Sequence, residues 1–256
     1  MIEKMMKPLI QLEHIDKQFP GVHALTDINI SFFPGEVHAL IRENGAGKST
    51  LMKVLSGAYS PSRGTISIDG QEYSSLTPAL SRELGINIVY QENDLVPSMS
   101  VAENIYVGNE VADRFGFMKY KELYQRTREQ MEEFSIHLDP SAKIEDLSVS
   151  DQQFVKILKA LSSKTRVLIM DEPTSSLDNA ETERLFATIR RLKSEGVTII
   201  YISHRMEEIF QICDSYTVFR DGKWVNSGSL RNCSTGELIS MMVGRNLENL
   251  FAKTEC

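Results

Sequence analysis

Short apolar runs recur along the chain, and each has the length of a buried strand. The runs cover residues 37–41, 167–170 and 197–202. A continuous apolar run is typical of a strand that is covered on both faces of a parallel sheet. Between the second and third runs, residues 179–195 have the pattern of an amphipathic helix that Gly196 ends. Because strands and helices alternate, the sequence predicts an α/β fold with a parallel sheet.

The two ends of the chain contain alternating patterns that predict antiparallel pairs of strands. Residues 28–33 alternate between apolar and polar side chains, and residues 65–68 do the same before Asp69-Gly70, a dipeptide typical of hairpin turns. Residues 216–225 contain a second Asp-Gly dipeptide and predict another hairpin. Antiparallel strands are therefore expected in the first third of the chain, on both sides of the run at 37–41, and a hairpin is expected near its end.

The middle of the chain predicts a separate helical part. Residues 93–161 are more polar, and residues 119–136 carry apolar side chains at helical intervals. We expect one domain over residues 1–245, with this helical subdomain inserted, and a polar tail over residues 246–256. Residues 48–57 also have a helical pattern and follow the first apolar run.

Composition narrows the class of protein. The chain has 256 residues, of which 41% are hydrophobic and 25% are charged, and these values are typical of a globular protein. The net charge of −7 argues against a protein whose whole surface binds nucleic acid. The three cysteines are too scattered for a disulfide framework or a zinc cluster. The sequence predicts no membrane span and no secretory signal, so we expect a cytoplasmic chain that reaches a membrane only through a partner.

A glycine-rich segment between the first apolar run and the following helix predicts a phosphate-binding loop. Its residues are Arg42, Glu43, Asn44, Gly45, Ala46, Gly47, Lys48, Ser49 and Thr50. Glycines allow successive backbone N–H groups to point at an anion, a lysine reaches the outer phosphates, and a hydroxyl holds Mg²⁺. The N-terminus of the helix adds its dipole. Gly45, Gly47, Lys48 and Ser49 supply these groups.

Arg42 departs from the usual phosphate-loop pattern, in which a glycine occupies this position. Glycine serves where φ is positive or where the backbone passes close to another group. Arg42 could strain the loop or block the phosphate site, or its side chain could turn outward and leave the loop intact. The sequence leaves both alternatives open.

Two adjacent carboxylates, Asp171 and Glu172, end the second apolar run. They are expected at the carboxyl edge of the sheet, where α/β folds bind ligands. Asp171 is placed to orient Mg²⁺, directly or through water, and Glu172 to polarise an attacking water. Without other motifs, the same pair would be typical of a solvated turn.

Together with Lys48, Asp171 and Glu172, residues 147–153 (LSVSDQQ) give the chain a resemblance to the ATP-binding-cassette (ABC) family, the motor subunits of ABC transporters. The resemblance extends over residues 9–245. It implies a P-loop NTPase cassette with a RecA-like parallel-sheet core, an N-terminal antiparallel β part and a helical subdomain. It also implies ATP and Mg²⁺ as ligands, and ATP hydrolysis coupled to transport.

The resemblance implies roles for further residues. Gln91 matches the glutamine of the Q-loop, which meets Mg²⁺ and the attacking water, and His204 matches the switch histidine that contacts the γ-phosphate. Phe19 matches the aromatic residue that stacks on adenine. Asp178 belongs to the D-loop, which touches the opposing subunit. Glu172, His204 and Gln91 are thus the expected catalytic residues, and Ser49, Gln91 and Asp171 the expected metal ligands.

Residues 147–151 resemble the family's signature segment, which clamps the γ-phosphate bound in the other subunit. Ser148 and Ser150 are therefore expected to bind nucleotide. The family usually has glycine at the fourth position, where this chain has Ser150. Serine is small and keeps its N–H group, but it reduces the freedom of the backbone.

Several segments are similar to the first cassette of bacterial carbohydrate importers of the ribose, galactose and xylose type. They are residues 19–25, 42–53, 170–178 and 242–245. ATPase subunits of that subfamily usually carry two cassettes, so residues 246–256 are expected to be a tail or the start of a linker to a second cassette. The implied partners are transmembrane permease subunits, a second cassette (self or separate chain) and, indirectly, a periplasmic sugar-binding protein, but no nucleic acid. The implied location is the cytoplasmic face of the inner membrane.

Two other interpretations stay open at the level of sequence. Arg42, Ser150 and the single cassette motivate a degenerate cassette that folds but does not hydrolyse ATP. The second interpretation is a soluble ABC ATPase of translation or DNA repair. Such proteins carry long coiled-coil insertions, tandem cassettes or basic surfaces. This acidic chain shows none of these features in its sequence.

Overall fold

The computed structural model describes residues 7–42, 48–92, 94–109 and 117–243. The strands in these ranges are β1 (Ile10–Phe19), β2 (Val22–Phe32), β3 (Val37–Arg42), β4 (Arg63–Ile68), β5 (Gln71–Tyr73), β6 (Ile86–Val89), β7 (Val167–Asp171), β8 (Thr198–Ile202), β9 (Ser215–Arg220) and β10 (Lys223–Ser229). The α-helices are α1 (Lys48–Leu55), α2 (Pro78–Glu83), α3 (Val101–Ile105), α4 (Tyr120–Glu133), α5 (Val149–Leu161), α6 (Asn179–Ser194), α7 (Met206–Ile212) and α8 (Thr235–Val243).

The strands form one mixed sheet in the order β5-β4-β1-β2-β10-β9-β3-β8-β7-β6. β3 pairs in parallel with β8 and with β9, and β7 pairs in parallel with β8. β1 pairs antiparallel with β2 and with β4, and β9 pairs antiparallel with β10. The predicted parallel core, N-terminal antiparallel part and C-terminal hairpin are thus confirmed, whereas β2 begins six residues before the predicted alternating segment, and β1 and β6 were not predicted.

The described chain divides into two compact units, and the first comprises residues 1–88, 166–172 and 189–256. Its central strands are apolar because they are covered on both faces, and every residue of β8 is buried. Leu40 of β3 and Ile200 of β8 belong to one core cluster with the apolar face of α1. Complete burial of one such side chain contributes about 1.5–3 kcal/mol, so these strands hold the edge that carries Asp171 and Glu172 firmly in place.

The second unit comprises residues 89–165 and 173–188. Helices α3, α4 and α5 fall within the segment for which the sequence predicts a helical subdomain. α3 begins with a capping box in which Ser100 and Glu103 exchange hydrogen bonds. Ala102 of α3 and Leu123 of α4 form a small apolar cluster, and the Gln130 side chain donates to the Leu158 carbonyl of α5 at 2.8 Å. Among the described residues, no helix is long and apolar enough to cross a bilayer.

Candidate functional site

The phosphate-loop segment is described only at its two ends. β3 ends at Arg42 and α1 begins at Lys48, so a strand leads directly into the segment and a helix leads out of it. Glu43, Asn44, Gly45, Ala46 and Gly47 lie outside the described residues, as do the side chains of Arg42 and Lys48. In the first turn of α1, Ser49 is exposed and Thr50 is half-buried. The helix N-terminus and an accessible hydroxyl are thus present where the sequence predicts them.

Glu172 lies just past the end of β7 in an unusual backbone conformation. Its φ is 46°, in the left-handed region, which costs an L-residue about 1–2 kcal/mol. The Glu172 N–H donates to the Ile202 carbonyl at the end of β8, at 2.9 Å, and this bond offsets part of that cost. The backbone therefore turns immediately after Asp171 and holds Glu172 at the carboxyl edge of the parallel strands.

His204 follows β8 on the same edge and contacts Glu172. The His204 Nδ1 atom lies 3.1 Å from the Glu172 Oε1 atom, although the two residues are far apart in the sequence. The Glu172 side chain is 17% exposed, whereas the His204 side chain is 57% exposed. A largely buried carboxylate thus has an accessible imidazole beside it. Such a pair is suitable for orienting a water molecule against a phosphate.

A buried carboxylate that the sequence analysis missed holds the segment around His204. Glu208 of α7 is 6% exposed and accepts hydrogen bonds from the Tyr201 hydroxyl at 2.8 Å and the Ser203 hydroxyl at 3.0 Å. Its other oxygen accepts from the Arg205 guanidinium at 3.1 Å. These donors come from both sides of His204, so Glu208 limits the movement of the histidine's backbone. The signal in the sequence is an acidic residue one helical turn after the histidine, which is too common to single out.

Phe19 ends β1 and packs against a second aromatic ring. The centroids of Phe19 and Tyr59 are 5.3 Å apart, with the rings at 70° in an edge-on arrangement. The Lys17 ammonium lies 5.1 Å from the Phe19 centroid, and the Lys53 ammonium lies 5.2 Å from the Tyr59 centroid. A half-buried ring with two ammonium groups nearby suits a ligand that combines a flat base with negative charge. Sequence analysis missed Tyr59, Lys17 and Lys53, since only the tertiary structure brings them to Phe19.

In the second unit, the signature segment begins α5. Ser148 is the N-cap residue, and its Oγ atom accepts from the Asp151 N–H at 3.1 Å. The same Oγ atom lies 2.8 Å from the Asp151 carboxylate and 3.0 Å from the Ser150 hydroxyl. The Ser148 hydroxyl can make all three contacts at once. It donates its one hydrogen to the Asp151 carboxylate and accepts from the Asp151 N–H and the Ser150 hydroxyl with its two lone pairs. Ser150 thus joins the helix cap in this chain.

Asp178 and Gln91 lie in two other loops of the second unit. Asp178 begins α6 with a reciprocal cap, because its N–H donates to Glu181 at 2.9 Å and its side chain accepts from the Glu181 N–H at 2.8 Å. Gln91 follows β6, and its side chain is exposed. The carbonyls of residues 90–92 face the ammonium group of Lys156 on α5.

The residues present fit a nucleotide with Mg²⁺. Mg²⁺ takes hard oxygen ligands, usually one or two from the protein together with phosphates and waters. The Ser49 hydroxyl and the Asp171 carboxylate, both in the first unit, are donors of this type. The N-terminus of α1 adds the backbone dipole that favours a phosphate.

Comparisons with known proteins identify relatives of this chain. The family model described as "ABC transporter" matches residues 25–175, more than half of the chain. The chain is 47% identical over 96% of its length to a putative ribose/galactose/methyl galactoside import ATP-binding protein of Geobacillus kaustophilus, covering 49% of that protein. It is 46% identical over 97% of its length to the ribose import ATP-binding protein RbsA 2 of Streptomyces avermitilis, again covering 49% of it. The chain therefore spans about half the length of the curated relatives it matches.

Solved structures show the same fold. A nucleotide-free ATP-binding cassette from an ABC transporter superposes with a TM-score of 0.79 at 23% identity, covering 97% of this chain and 100% of that one. This likeness confirms the predicted P-loop cassette fold. Because the family model matches more than half of the chain, from before the phosphate-loop segment to beyond the Asp171-Glu172 pair, the chain belongs to the ABC transporter family.

Proposed function

We propose that this chain is an ATP-binding cassette of a bacterial sugar importer and couples ATP binding and hydrolysis to carbohydrate uptake. The observation that carries the proposal is the contact between His204 and Glu172 at the carboxyl edge of the sheet. The names of the two import ATP-binding relatives support sugar as the class of cargo. The proposed location is the cytoplasmic face of the inner membrane, at which the chain is peripheral.

Each site residue has a proposed role in hydrolysis. Phe19 stacks on adenine, and the loop residues Arg42, Glu43, Asn44, Gly45, Ala46, Gly47, Lys48, Ser49 and Thr50 surround the phosphates. Ser49, Gln91 and Asp171 would hold Mg²⁺, which supplies charge neutralisation to the transferred phosphate when it is bound. Glu172 polarises the attacking water, and His204 keeps the Glu172 carboxylate oriented and contacts the γ-phosphate.

The cassette is proposed to work as a pair. Ser148, Ser150 and Asp178 carry roles toward an opposing cassette, which is a second copy of this chain or a separate chain. ATP favours the closed pair only through contacts that are better made in the closed state. Closure is then transmitted to transmembrane permease subunits. A periplasmic sugar-binding protein is an indirect partner of this chain, through those subunits.

The proposal is tested by Mg·ATP binding and phosphate release with the purified chain, over a range of concentrations that promotes dimers. We expect Glu172→Gln to bind ATP and to lose at least 100-fold in turnover, because general-base catalysis contributes about 10²–10⁴-fold. Glu207→Gln is the matched control, since Glu207 is an exposed carboxylate on α7. Undiminished turnover in Glu172→Gln would contradict the proposed role of Glu172.

Arg42→Gly, measured in parallel, tests the alternative of a degenerate cassette. If the parent chain and Arg42→Gly bind Mg·ATP with similar affinity, the loop tolerates Arg42. If only Arg42→Gly binds and hydrolyses ATP, the parent chain is a cassette that has lost its ligand, and the proposed activity is wrong.

A further inference from the structure

Lys156 of α5 has a buried ammonium group surrounded by backbone carbonyls of the Q-loop. The residue is 7% exposed, and its Nζ atom lies 3.0 Å from the Glu92 carbonyl oxygen. The carbonyl oxygens of Tyr90 and Gln91 each lie 3.5 Å from the same atom. Three successive carbonyls thus converge on one side chain from a segment that lies more than 60 residues earlier in the chain.

The chemistry of lysine matches this arrangement. An ammonium group has three donors and no acceptor, so three carbonyl oxygens can satisfy it completely. Burial lowers the pKa of Lys156 from its ordinary value, with the Asp94 carboxylate acting in the opposite direction. Lysine is seldom buried unless it is paired, so its position in α5 indicates that the loop carbonyls are required to keep it there. Lys156 in turn supplies a donor to the Glu92 carbonyl and longer contacts to the carbonyls of Tyr90 and Gln91.

A second lysine on the same face of α5 contacts the next described part of the loop. The Lys159 ammonium donates to the Asp94 carbonyl at 3.0 Å and to the Asp94 carboxylate at 2.8 Å. Lys159 is exposed to a greater degree than Lys156, and its strongest contact is with a side chain. Lys156 therefore holds the backbone at Gln91, whereas Lys159 holds a neighbouring carboxylate.

Both contacts originate on the helix that begins at the signature segment. Ser148 caps α5, and Lys156 lies eight residues later, or roughly 12 Å along the helix axis at about 1.5 Å per residue. A helix of this length is stiff, so a displacement of its first turn is carried to Lys156. The Q-loop backbone and the signature segment are consequently attached to one rigid element within the second unit.

We propose that Lys156 is a positioning residue for Gln91. Lys156 fixes the backbone of residues 90–92, so the orientation of the Gln91 side-chain amide depends on the position of the signature segment. What Gln91 does for the nucleotide rests on the proposed function. The contact between Lys156 and the loop carbonyls does not rest on it, because both partners belong to this chain.

The first experiment measures that attachment by NMR in the nucleotide-free chain. Lys156→Met keeps the approximate volume of the side chain and removes all of its hydrogen-bond donors, whereas Lys156→Arg keeps donors. The matched control is Lys164→Met, which removes the charge of an exposed lysine just beyond α5. We expect the backbone amide resonances of residues 90–92 to shift and broaden in Lys156→Met. The same resonances should stay near the parent positions in Lys164→Met and be partly restored in Lys156→Arg. Unchanged resonances in folded Lys156→Met would overturn the proposal.

The second experiment measures the Mg²⁺ concentration that gives half-maximal ATP binding. Removing a group that orients a metal ligand typically costs about 10–100-fold in metal affinity. We expect about a tenfold higher Mg²⁺ requirement in Lys156→Met, with unchanged affinity for ATP in the presence of a chelator. Adding Gln91→Ala to Lys156→Met should cause little further loss, because both changes remove the same ligand. An equal loss of ATP affinity with and without Mg²⁺ would indicate a structural role only and contradict positioning.

The two experiments separate the two proposals. If the parent chain fails to bind Mg·ATP, the proposed function is wrong, while the NMR result still decides whether Lys156 holds the loop. If Lys156→Met does not fold, Lys156→Gln retains one amide donor and replaces it in both measurements. Its expected effects lie between those of the methionine and arginine variants, and an effect no greater than that of Lys164→Met would overturn the proposal.

Discussion

The Nδ1 atom of His204 lies 3.1 Å from the Oε1 atom of Glu172, and no other side chain in the described part of the protein hydrogen-bonds to the His204 ring. When Nδ1 donates to the carboxylate, the Nε2 atom of a neutral ring can only accept, whereas the Nε2 atom of a protonated ring can donate. A contact from Nε2 to a phosphate oxygen therefore requires the protonated ring. The proposed function uses both members of the pair, Glu172 toward water and His204 toward a phosphate oxygen.

His204→Ala should lower ATP turnover by about 100-fold or more, because the carboxylate loses its orienting partner and the phosphate loses a donor. Single-turnover phosphate release measures the effect, and ATP binding should change only a few-fold. The double variant with Glu172→Gln should be little worse than Glu172→Gln alone, since residues that act as a unit are not additive. Fully additive losses would show that the two residues act independently.

Glu208→Gln should destabilise the fold and loosen the segment that carries His204. Three side-chain donors converge on the buried carboxylate, and an amide can accept from only some of them. We expect a loss of about 1–3 kcal/mol in the free energy of unfolding, measured by chemical denaturation. Glu207→Gln on the exposed face of α7 is the control and should change this free energy by less than about 0.5 kcal/mol. Equal effects in the two variants would exclude a specific role for the Glu208 network.

Phe19→Ala should weaken ATP binding by about 1–3 kcal/mol, the amount that base stacking on an aromatic ring contributes. Phe19→Tyr keeps the ring and should retain most of the affinity. Binding of tripolyphosphate, which has no base, separates stacking from the nearby charge of Lys17 and Lys53. If Phe19→Ala weakens both ligands equally, the ring supports the local structure rather than the base.

Asp69→Asn should remove a small, pH-dependent part of the stability. The Arg166 guanidinium donates to both Asp69 oxygens, at 2.6 and 3.0 Å, and lowers the pKa of that carboxyl below its ordinary value. A carboxyl whose pKa is lower in the folded state stabilises the protein above its unfolded pKa, and this contribution disappears as the pH falls through the folded pKa. Because both side chains are substantially exposed, the contribution is below about 1 kcal/mol.

Thermal unfolding across the acid range measures this effect. The parent chain and Asp69→Asn should differ in Tm near neutral pH and converge as the pH drops below the lowered pKa of Asp69. Asp221→Asn is the control, since Asp221 is an exposed carboxylate in the turn between β9 and β10. Its Oδ2 atom lies 4.0 Å from the Nε atom of Arg220. A constant difference in Tm at every pH would show that the Asp69 charge is not the cause.

Local patterns were sufficient to predict the strand and helix types that surround the site. Mostly apolar runs identify β3, β7 and β8 because burial on both faces removes the regular alternation of polar and apolar residues. The Asp-Gly dipeptides identify the β4–β5 and β9–β10 hairpin turns, where Asp69 and Asp221 adopt positive φ, but not the β1–β2 hairpin. β1 is not evident from its sequence. Its pairing with β2 shifts register between residues 12 and 18, and these shifts interrupt the alternation of apolar and polar residues.

The sequence by itself determined which residue types are available for chemistry, and it placed the phosphate-loop segment and the Asp171-Glu172 pair at the ends of predicted strands, since these follow from composition, periodicity and spacing. Only the tertiary structure decided which of them meet. Asp171 pairs with Ile202 because β7 and β8 are neighbours in a particular parallel register, and that register brings Glu172 to His204. Glu208 and Lys156 are likewise unremarkable in the sequence. Their roles arise because buried charges must find partners, and those partners come from segments that only folding brings together.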